Sequence, residues 1–418
     1  MNSYFATCEQ MSNPALRGKP IGVGGSNLER TVVTAASYEA KRFGVKVGMS
    51  IFEAKRFCPK LIVVVGDPEK YVDTTTKFLK VFQAYSPDLE IFSIDEAFLD
   101  VTRTHERFGG PVALAKIIKN EIRKELGELF TISVGISYNK TLAKLAASKM
   151  KPDGLVWIKR QITEEDRRSA AKIMATKQAL AESRLIDICG IGSRIERALL
   201  NMGVTSLDAL ARMTPERLRK RFGLYGIFLY NIAHGEDPSP VVPYWLEDPY
   251  RSMGHHYTIP KDIHSREELE PLLLKFSEKI GRRLRAHGYR GRTIHLLLRN
   301  SDLLDLSQQQ TLSEDTDDGY EIYKAAGRIL DQWVFPESVR MLGISCSHLV
   351  KNYQQLSLLN DALKRTKVLE AMDQVNDRYG EFTVMRARLL KTKLKVHVGG
   401  FVEDRAKTFK QFGVTIKK

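Results

Sequence analysis

Nothing in this 418-residue chain stays apolar long enough to cross a bilayer, and no tract is repetitive or low in complexity. Cysteine is scarce and scattered. Cys8, Cys58, Cys189 and Cys346 lie far apart with no CxxC pair, which argues against a disulfide frame or a thiolate zinc site and suits a reducing cytoplasm. The first residues show no charged region followed by an apolar stretch, so no signal peptide is expected. Acid is outnumbered: 65 Lys and Arg face 50 Asp and Glu, giving a formal charge of +15 and a pI near 9.5. That excess points to an anionic partner, most often nucleic acid, without specifying one; ribosomal, RNA-modifying and membrane-surface proteins are as basic. With 43% hydrophobic and 28% charged residues, the composition is that of a soluble globular protein. The length exceeds one ordinary core and predicts two to four domains.

The pattern along the chain opens with a short helix holding Tyr4, Phe5 and Cys8, followed by turns at Asn13-Pro14 and Gly18-Lys19-Pro20. Strands are expected over 20–24 and 30–35, a helix over 38–43, a buried strand over 61–65 and a helix over 71–85. A strand through 89–94 meets the acidic pair Asp95-Glu96 and resumes over 97–101. A helix over 111–126 carries Pro111 in its first turn, where proline is tolerated. A strand over 131–137 and a helix over 140–149 follow. Interleaving of this kind predicts an α/β domain. From 164 to 235 the pattern is almost all helical. An acid- and proline-rich linker, 236–243, then leads to a second α/β region: a helix over 265–287, a strand over 293–298, a helix over 318–333 and a strand over 338–345. The tail, 351–418, carries 15 Lys and Arg against 7 Asp and Glu.

Two adjacent carboxylates inside a core pattern are unusual. Neighbouring strand residues point to opposite faces, so Asp95 and Glu96 serve one site only if the backbone twists or bulges between them. Taken alone, the pair reads as an exposed turn breaking a strand. Its surroundings change that reading. Phe92-Ser93-Ile94-Asp95-Glu96-Ala97-Phe98-Leu99-Asp100-Val101 resembles the palm motif of the bacterial Y family of translesion DNA polymerases. The resemblance continues, in family order, through Asn13 to Pro20, Ala36 to Gly44, Ser133 to Ser137, Leu142 to Ala147 and Lys149 to Gly154. It spans about residues 1–350.

The resemblance implies an α/β multidomain, right-hand polymerase: a palm at 1–9 and 70–160, small fingers at 10–69, a helical thumb at 161–235, and an α/β little finger at 244–350. It implies error-prone, template-directed nucleotidyl transfer from dNTPs to a primer 3′-hydroxyl, with two Mg²⁺ ions, roughly 4 Å apart, held by Asp95 and Glu96 with the backbone oxygen of Met1 nearby. Fingers with Gly22, Gly24 and Gly25 imply loose closure on the base pair, hence low processivity and tolerance of distorted templates. Phe5 falls at the family's steric gate against a ribose 2′-hydroxyl, with Tyr4 lining the same pocket. Tyr38 matches a triphosphate contact. The family then carries arginine where this chain has Lys41, and either Lys41 or its neighbour Arg42 fills that role. Lys151 matches a second triphosphate cation.

One family feature is missing. The aspartate that bridges both metals would fall immediately before Met1, and Asn2 aligns one residue too late to replace it. Either the reading frame begins upstream, or the chain is an inactive DNA-binding accessory protein of the damage response.

For DNA, Cys189-Gly190-Ile191-Gly192-Ser193 resembles the turn of a helix-hairpin-helix, whose amides at Gly190 and Gly192 can receive a phosphate with Arg194 and Arg197 beside it. Arg251 opens the little-finger motif. Arg282, Arg283, Arg285, Arg290, Arg292 and Arg299 follow with no acid among them in the sequence, a candidate backbone-binding patch. Gln355-Leu356-Ser357-Leu358-Leu359 resembles a sliding-clamp peptide. The expected state is a nucleoid-associated cytoplasmic monomer, away from membranes.

Overall fold

The computed structural model describes residues 1–25, 30–164, 166, 169, 171–246, 250–351 and 360–390, without the side chains of 360–363. Between Glu247 and Asp248 the chain divides into two compact units.

The first unit opens with α1 (Tyr4–Ser12). Strand β1 (Ile21–Gly24) pairs antiparallel with β2 (Ala35–Ala36) and parallel with β3 (Ile62–Val65), while α2 (Tyr38–Arg42) and α3 (Ile51–Phe57) lie between these strands in sequence. Both short helices start on serine. Ser37 accepts from the Ala40 amide and Ser50 from the Glu53 amide, satisfying donors a helix start otherwise leaves open. This part has a small core of its own, built on Val33, Ala40, Val45, Ile51 and Leu61.

Helix α4 (Pro68–Gln83) is amphipathic, starts on an Asp67 cap, and buries Tyr71, Phe78, Leu79 and Phe82 against α1 and α5 (Pro111–Leu126). Phe78 is fully buried in that cluster, and truncating a ring of this kind costs about 3–5 kcal/mol. Between α4 and α5 lies a hairpin of β4 (Leu89–Ile91) and β5 (Ala97–Leu99). Next comes a parallel sheet of β6 (Val134–Ile136), β7 (Leu155–Lys159) and β8 (Lys172–Ala175), with α6 (Lys140–Lys149) joining β6 to β7. Gly135 lets α6 lie on β6: a Cβ there would stand 1.9 Å from the Ala143 carbonyl oxygen. Strand β8 corrects the expectation of an almost wholly helical 164–235. The stretch Lys172–Ala175 is short and apolar, and its strand state is set by pairing with β7. Helices α7 (Thr176–Ala181), α8 (Ser193–Leu200), α9 (Leu207–Ala211), α10 (Pro215–Phe222) and α11 (Leu224–Ala233) complete the unit and share one core with α6 and β7.

The second unit contains β9 (Ser252–Ile263), α12 (Arg266–Ala286), β10 (Tyr289–Arg299), β11 (Asp305–Thr316), α13 (Gly319–Leu330), β12 (Val339–Ser347), β13 (Val350–Lys351) and α14 (Asn360–Tyr379). Its main sheet runs β11-β10-β12-β9, antiparallel throughout. On β10, Ile294, Leu296 and Leu298 are buried with Phe276, Ile280 and Leu284 of α12, while His295, Leu297 and Arg299 alternate to the other face. Strands β9 and β11 were not expected from the sequence, and β10 is longer than the expected 293–298.

Candidate active site

The acidic pair sits on a turn. Strands β4 and β5 pair Leu89 with Leu99 and Ile91 with Ala97, and the amides of Phe92 and Ser93 both donate to the Glu96 carbonyl at 3.0 Å. The expected strand through 94 therefore stops at Ile91, and the alternation that would separate the two carboxylates does not apply. Ser93 Oγ donates to Asp95 Oδ1 at 2.8 Å. Glu96 accepts from Lys144 Nζ at 2.7 Å, and the same ammonium stands 4.4 Å from the Phe92 ring centroid. Burial pushes Glu96 up, but the hydrogen bond and charge of Lys144, with Lys151 beyond, outweigh it and hold the carboxyl below its ordinary range. Lys144 was not singled out by sequence. Its signal is spacing: Lys140 and Lys144, four apart on α6, pair with Glu90 and Glu96.

Asp95, Glu96, Lys144, Lys151 and Met1 line one cleft of about 220 Å³. Residues of β5, of β6 and Leu114, Ala115 and Ile118 of α5 also line it. Among the described residues β5 pairs with β4 alone and β6 with β7 alone. The Met1 amine donates to the Asp95 carbonyl at 2.7 Å and the Asn2 amide to the Thr131 carbonyl at 3.1 Å. The Asn2 side chain is held by Thr131 and Ser133.

Helix α1 brings the aromatic pair alongside. The Phe5 ring stacks on Tyr71, centroids 4.4 Å apart and planes at 21°. Tyr4 departs from the expectation that it lines the pocket: it is 4% exposed, and its hydroxyl bonds the Tyr71 carbonyl and the Thr75 hydroxyl behind Phe5. Lys41 Nζ donates to Ser3 Oγ at 2.8 Å and lies 4.5 Å from the Tyr38 centroid. Burial, reinforced by the like charge of Lys151, pulls the Lys41 ammonium below its usual pKa; burial also pushes the Tyr38 phenol up against an opposing hydrogen bond from Ser3. Two cations that repel each other beside a hydroxyl make a setting that an anion relieves. Arg42 is exposed, and its side chain has no hydrogen bond or ion pair among the described residues.

Among the described residues, no three His, Cys, Asp or Glu side chains converge. Asp95 and Glu96 alone suit one Mg²⁺ that completes its shell with water and substrate phosphate; a two-ion site needs more oxygen than they supply.

Away from the cleft, Gly190 adopts φ +101°, and a Cβ there would meet the Tyr225 hydroxyl at 2.6 Å. Gly192 begins α8 with φ −86° and open space around it, so the fold does not demand glycine there. Arg194 and Arg197 on α8 are exposed. In the tertiary structure most arginines of the expected patch have partners within the chain. Arg285 forms a fork with Asp373 of α14 at 2.6 and 2.9 Å, and Arg282 bonds Asp377 at 2.6 Å. Arg299 pairs with Asp305 at 2.6 Å, Arg290 faces Asp317 at 3.9 Å, and Arg283 donates to the Gly254 carbonyl at 3.0 Å. Arg251 and Arg292 remain exposed, without an ion pair among the described residues. Gln355, Leu356, Ser357, Leu358 and Leu359 lie outside the described residues. No helix among those described is long and apolar enough to cross a membrane.

An α/β unit that carries an acidic turn, followed by a separate sheet-and-helix unit, is the general architecture of the template-directed DNA polymerases of the Y class. The chain belongs to the impB/mucB/samB family, matching it over residues 1–148 and matching its C-terminal domain over 250–358. It is 37% identical over 390 residues to DNA polymerase IV of Pelotomaculum thermopropionicum, covering 93% of each chain. It is also 37% identical to DNA polymerase IV of Moorella thermoacetica, over 92% of this chain and 94% of that one. Among solved structures it resembles a Y-family DNA polymerase chimera with a TM-score of 0.68 and 25% identity, covering 84% of this chain and 98% of the other.

Proposed function

We propose that this chain carries out error-prone, template-directed DNA synthesis past damaged bases, by Mg²⁺-dependent nucleotidyl transfer from dNTPs to a primer 3′-hydroxyl. The observation that carries the reading is Lys151, which lines the acidic cleft and at the same time acts electrostatically on Lys41 beside Tyr38. Triphosphate cations and metal-type carboxylates thus meet at one place.

In this reading Asp95 and Glu96 hold the metal, which when bound activates the primer hydroxyl and offsets charge on the leaving pyrophosphate. Lys41, Lys151 and Tyr38 hold the triphosphate. Phe5, braced by Tyr71, excludes a 2′-hydroxyl. The domains follow the family division: palm 1–9 and 70–160, fingers 10–69, thumb 161–235 and little finger 244–350. Gly190, Gly192, Arg194, Arg197, Arg251 and Arg292 hold primer–template backbone, and Gln355 to Leu359 recruit the sliding clamp.

The second reading, an inactive DNA-binding accessory protein, draws on the absence of a third carboxylate among the described residues. Primer extension separates the two. Synthesis that needs Mg²⁺ and is abolished by Asp95→Asn supports the polymerase; no synthesis leaves the accessory role. For the clamp, replacing Gln355, Leu358 and Leu359 by Ala removes clamp stimulation and leaves clamp-free extension intact.

A further inference from the structure

Helix α4 touches both halves of the candidate site through one buried hydroxyl. Thr75 is fully buried, and its Oγ1 lies 2.8 Å from the Tyr4 hydroxyl on α1 and 2.7 Å from the carbonyl oxygen of Ile94, the residue before Asp95. These are ordinary strong O–H···O distances. One turn earlier, Tyr71 stacks on Phe5, and its hydroxyl bonds Glu9 Oε1 at 2.7 Å. The Thr75 hydroxyl has a single hydrogen. The Tyr71 carbonyl also lies within reach of both hydroxyls, 2.9 Å from Thr75 Oγ1 and 2.7 Å from the Tyr4 oxygen. Given to Ile94, its shortest acceptor, the Thr75 hydrogen leaves the Thr75 oxygen to share the Tyr4 hydrogen with the Tyr71 carbonyl. The contacts then run from Tyr4 to Thr75 to Ile94, from the helix that carries the sugar gate to the turn that carries the carboxylates.

We propose that Thr75 is a positioning residue that sets the Phe5 helix and the Asp95-Glu96 turn in register with each other, so that sugar selection and metal affinity depend on the same hydroxyl. The inference rests on the nucleotide-binding reading of the cleft. It follows from geometry: the turn 92–96 is half-buried and leaves the β4–β5 ladder at Ile91, so the Ile94 carbonyl is an anchor independent of strand pairing. Removing its donor leaves a partly buried acceptor unmatched and the turn free to shift. Removing only the Tyr4 hydroxyl leaves that anchor in place and frees the gate helix alone. The two substitutions therefore have different consequences.

The test measures equilibrium binding of dATP and of ATP by the full chain in a Mg²⁺ titration, with thermal melting alongside. Thr75→Val raises the Mg²⁺ concentration needed for half-maximal dATP binding by about tenfold, the scale of one buried acceptor losing its donor. It also brings the ATP and dATP affinities closer together. Thr75→Ser keeps the hydroxyl and restores both values. Tyr4→Phe brings the two affinities together and leaves the Mg²⁺ midpoint where it was. Parental midpoint and selectivity in Thr75→Val, or failure of Thr75→Ser to restore them, overturns the proposal. If Thr75→Val does not fold, Tyr4→Phe and Thr75→Ser decide: an unchanged ATP-to-dATP ratio in Tyr4→Phe overturns it. A parent chain that binds neither nucleotide at any Mg²⁺ concentration sinks the nucleotide-binding reading and this inference with it.

Discussion

Lys144 on α6 reaches Glu96 at 2.7 Å, while one helical turn earlier Lys140 holds Glu90 at 2.9 Å. Helix α6 thus grips the β4–β5 hairpin both at its paired strand and at its turn. The Lys144 contact sets the charge state of Glu96. A carboxyl whose pKa is depressed in the fold contributes stability above its unfolded pKa, and that stability is lost as pH falls through the folded value. Both side chains are partly exposed, 26% and 39%, so the pair contributes at most about 1 kcal/mol. The larger effect is on protonation. Lys144→Met removes the main group that opposes burial, so the Glu96 pKa moves up. The acid limb of the kcat/KM profile then moves to higher pH, with little change in melting temperature. A limb that stays in place would show that Lys144 does not control Glu96.

Phe5 stands over Tyr71 with its ring held nearly parallel, and a held ring excludes by volume. Phe5→Ala is expected to raise ribonucleotide over deoxyribonucleotide incorporation on the order of 100-fold, the upper range for steric discrimination by one side chain. Comparing kcat/KM for dATP and ATP checks this. Identical ratios in mutant and parent are incompatible with a gate at this position.

Gly135 and Gly192 separate two reasons for glycine. A methyl at Gly135 collides with the Ala143 backbone and the Ala147 amide, at 1.9 and 2.3 Å. Gly135→Ala forces α6 off β6 and is expected to cost about 3 kcal/mol or more, read as a lower denaturant midpoint. At Gly192 nothing lies within 4 Å and φ is negative, so Gly192→Ala leaves the midpoint within about 0.5 kcal/mol of the parent. A DNA affinity that falls in Gly192→Ala without loss of stability then locates backbone approach at this turn.

Much of this was legible in the sequence, and the gaps have physical causes. The helices Pro111–Leu126 and Lys140–Lys149 have the expected bounds because periodicity agrees with a first-turn proline in the former and an asparagine cap in the latter. Strands β9 and β11 went unread because their composition speaks against them. Ser252–Ile263 contains glycine, proline and paired histidines; Asp305–Thr316 is mostly polar and exposed at the sheet edge. Both are strands because β12 and β10 supply the ladder. At the site, motif resemblance offered Asp95, Glu96, Tyr38 and Lys151 as candidates. It could not supply Lys144, Tyr71 or Thr75, whose importance lies in contacts across 48, 62 and 71 residues of sequence. Nor could it show that Arg282 and Arg285 have acid partners, because Asp377 and Asp373 lie 95 and 88 residues away.

These partners give the most direct test of where DNA is held. Arg282 and Arg285 face Asp377 and Asp373, 95 and 88 residues further along, while Arg251 and Arg292 are exposed without an ion pair among the described residues. Only a cation that neutralises a phosphate releases counterions, so each such contact adds roughly 0.9 to the slope of log affinity against log salt. Arg251→Ala and Arg292→Ala are each expected to lower the slope by about that amount and to weaken binding uniformly across sequences. Arg285→Met should leave the slope unchanged. Its effect falls on α14: the Asp373 side chain, 20% exposed, loses its fork, at a cost of about 1–3 kcal/mol between the limits for surface and buried pairs. Hydrogen exchange in α14 should rise accordingly, with the main sheet unaffected. If Arg285→Met instead cuts the salt slope as far as Arg251→Ala does, the α12 arginines contact phosphate in the complex. Helix α14 would then have to give up Asp373 and Asp377 as partners when DNA binds.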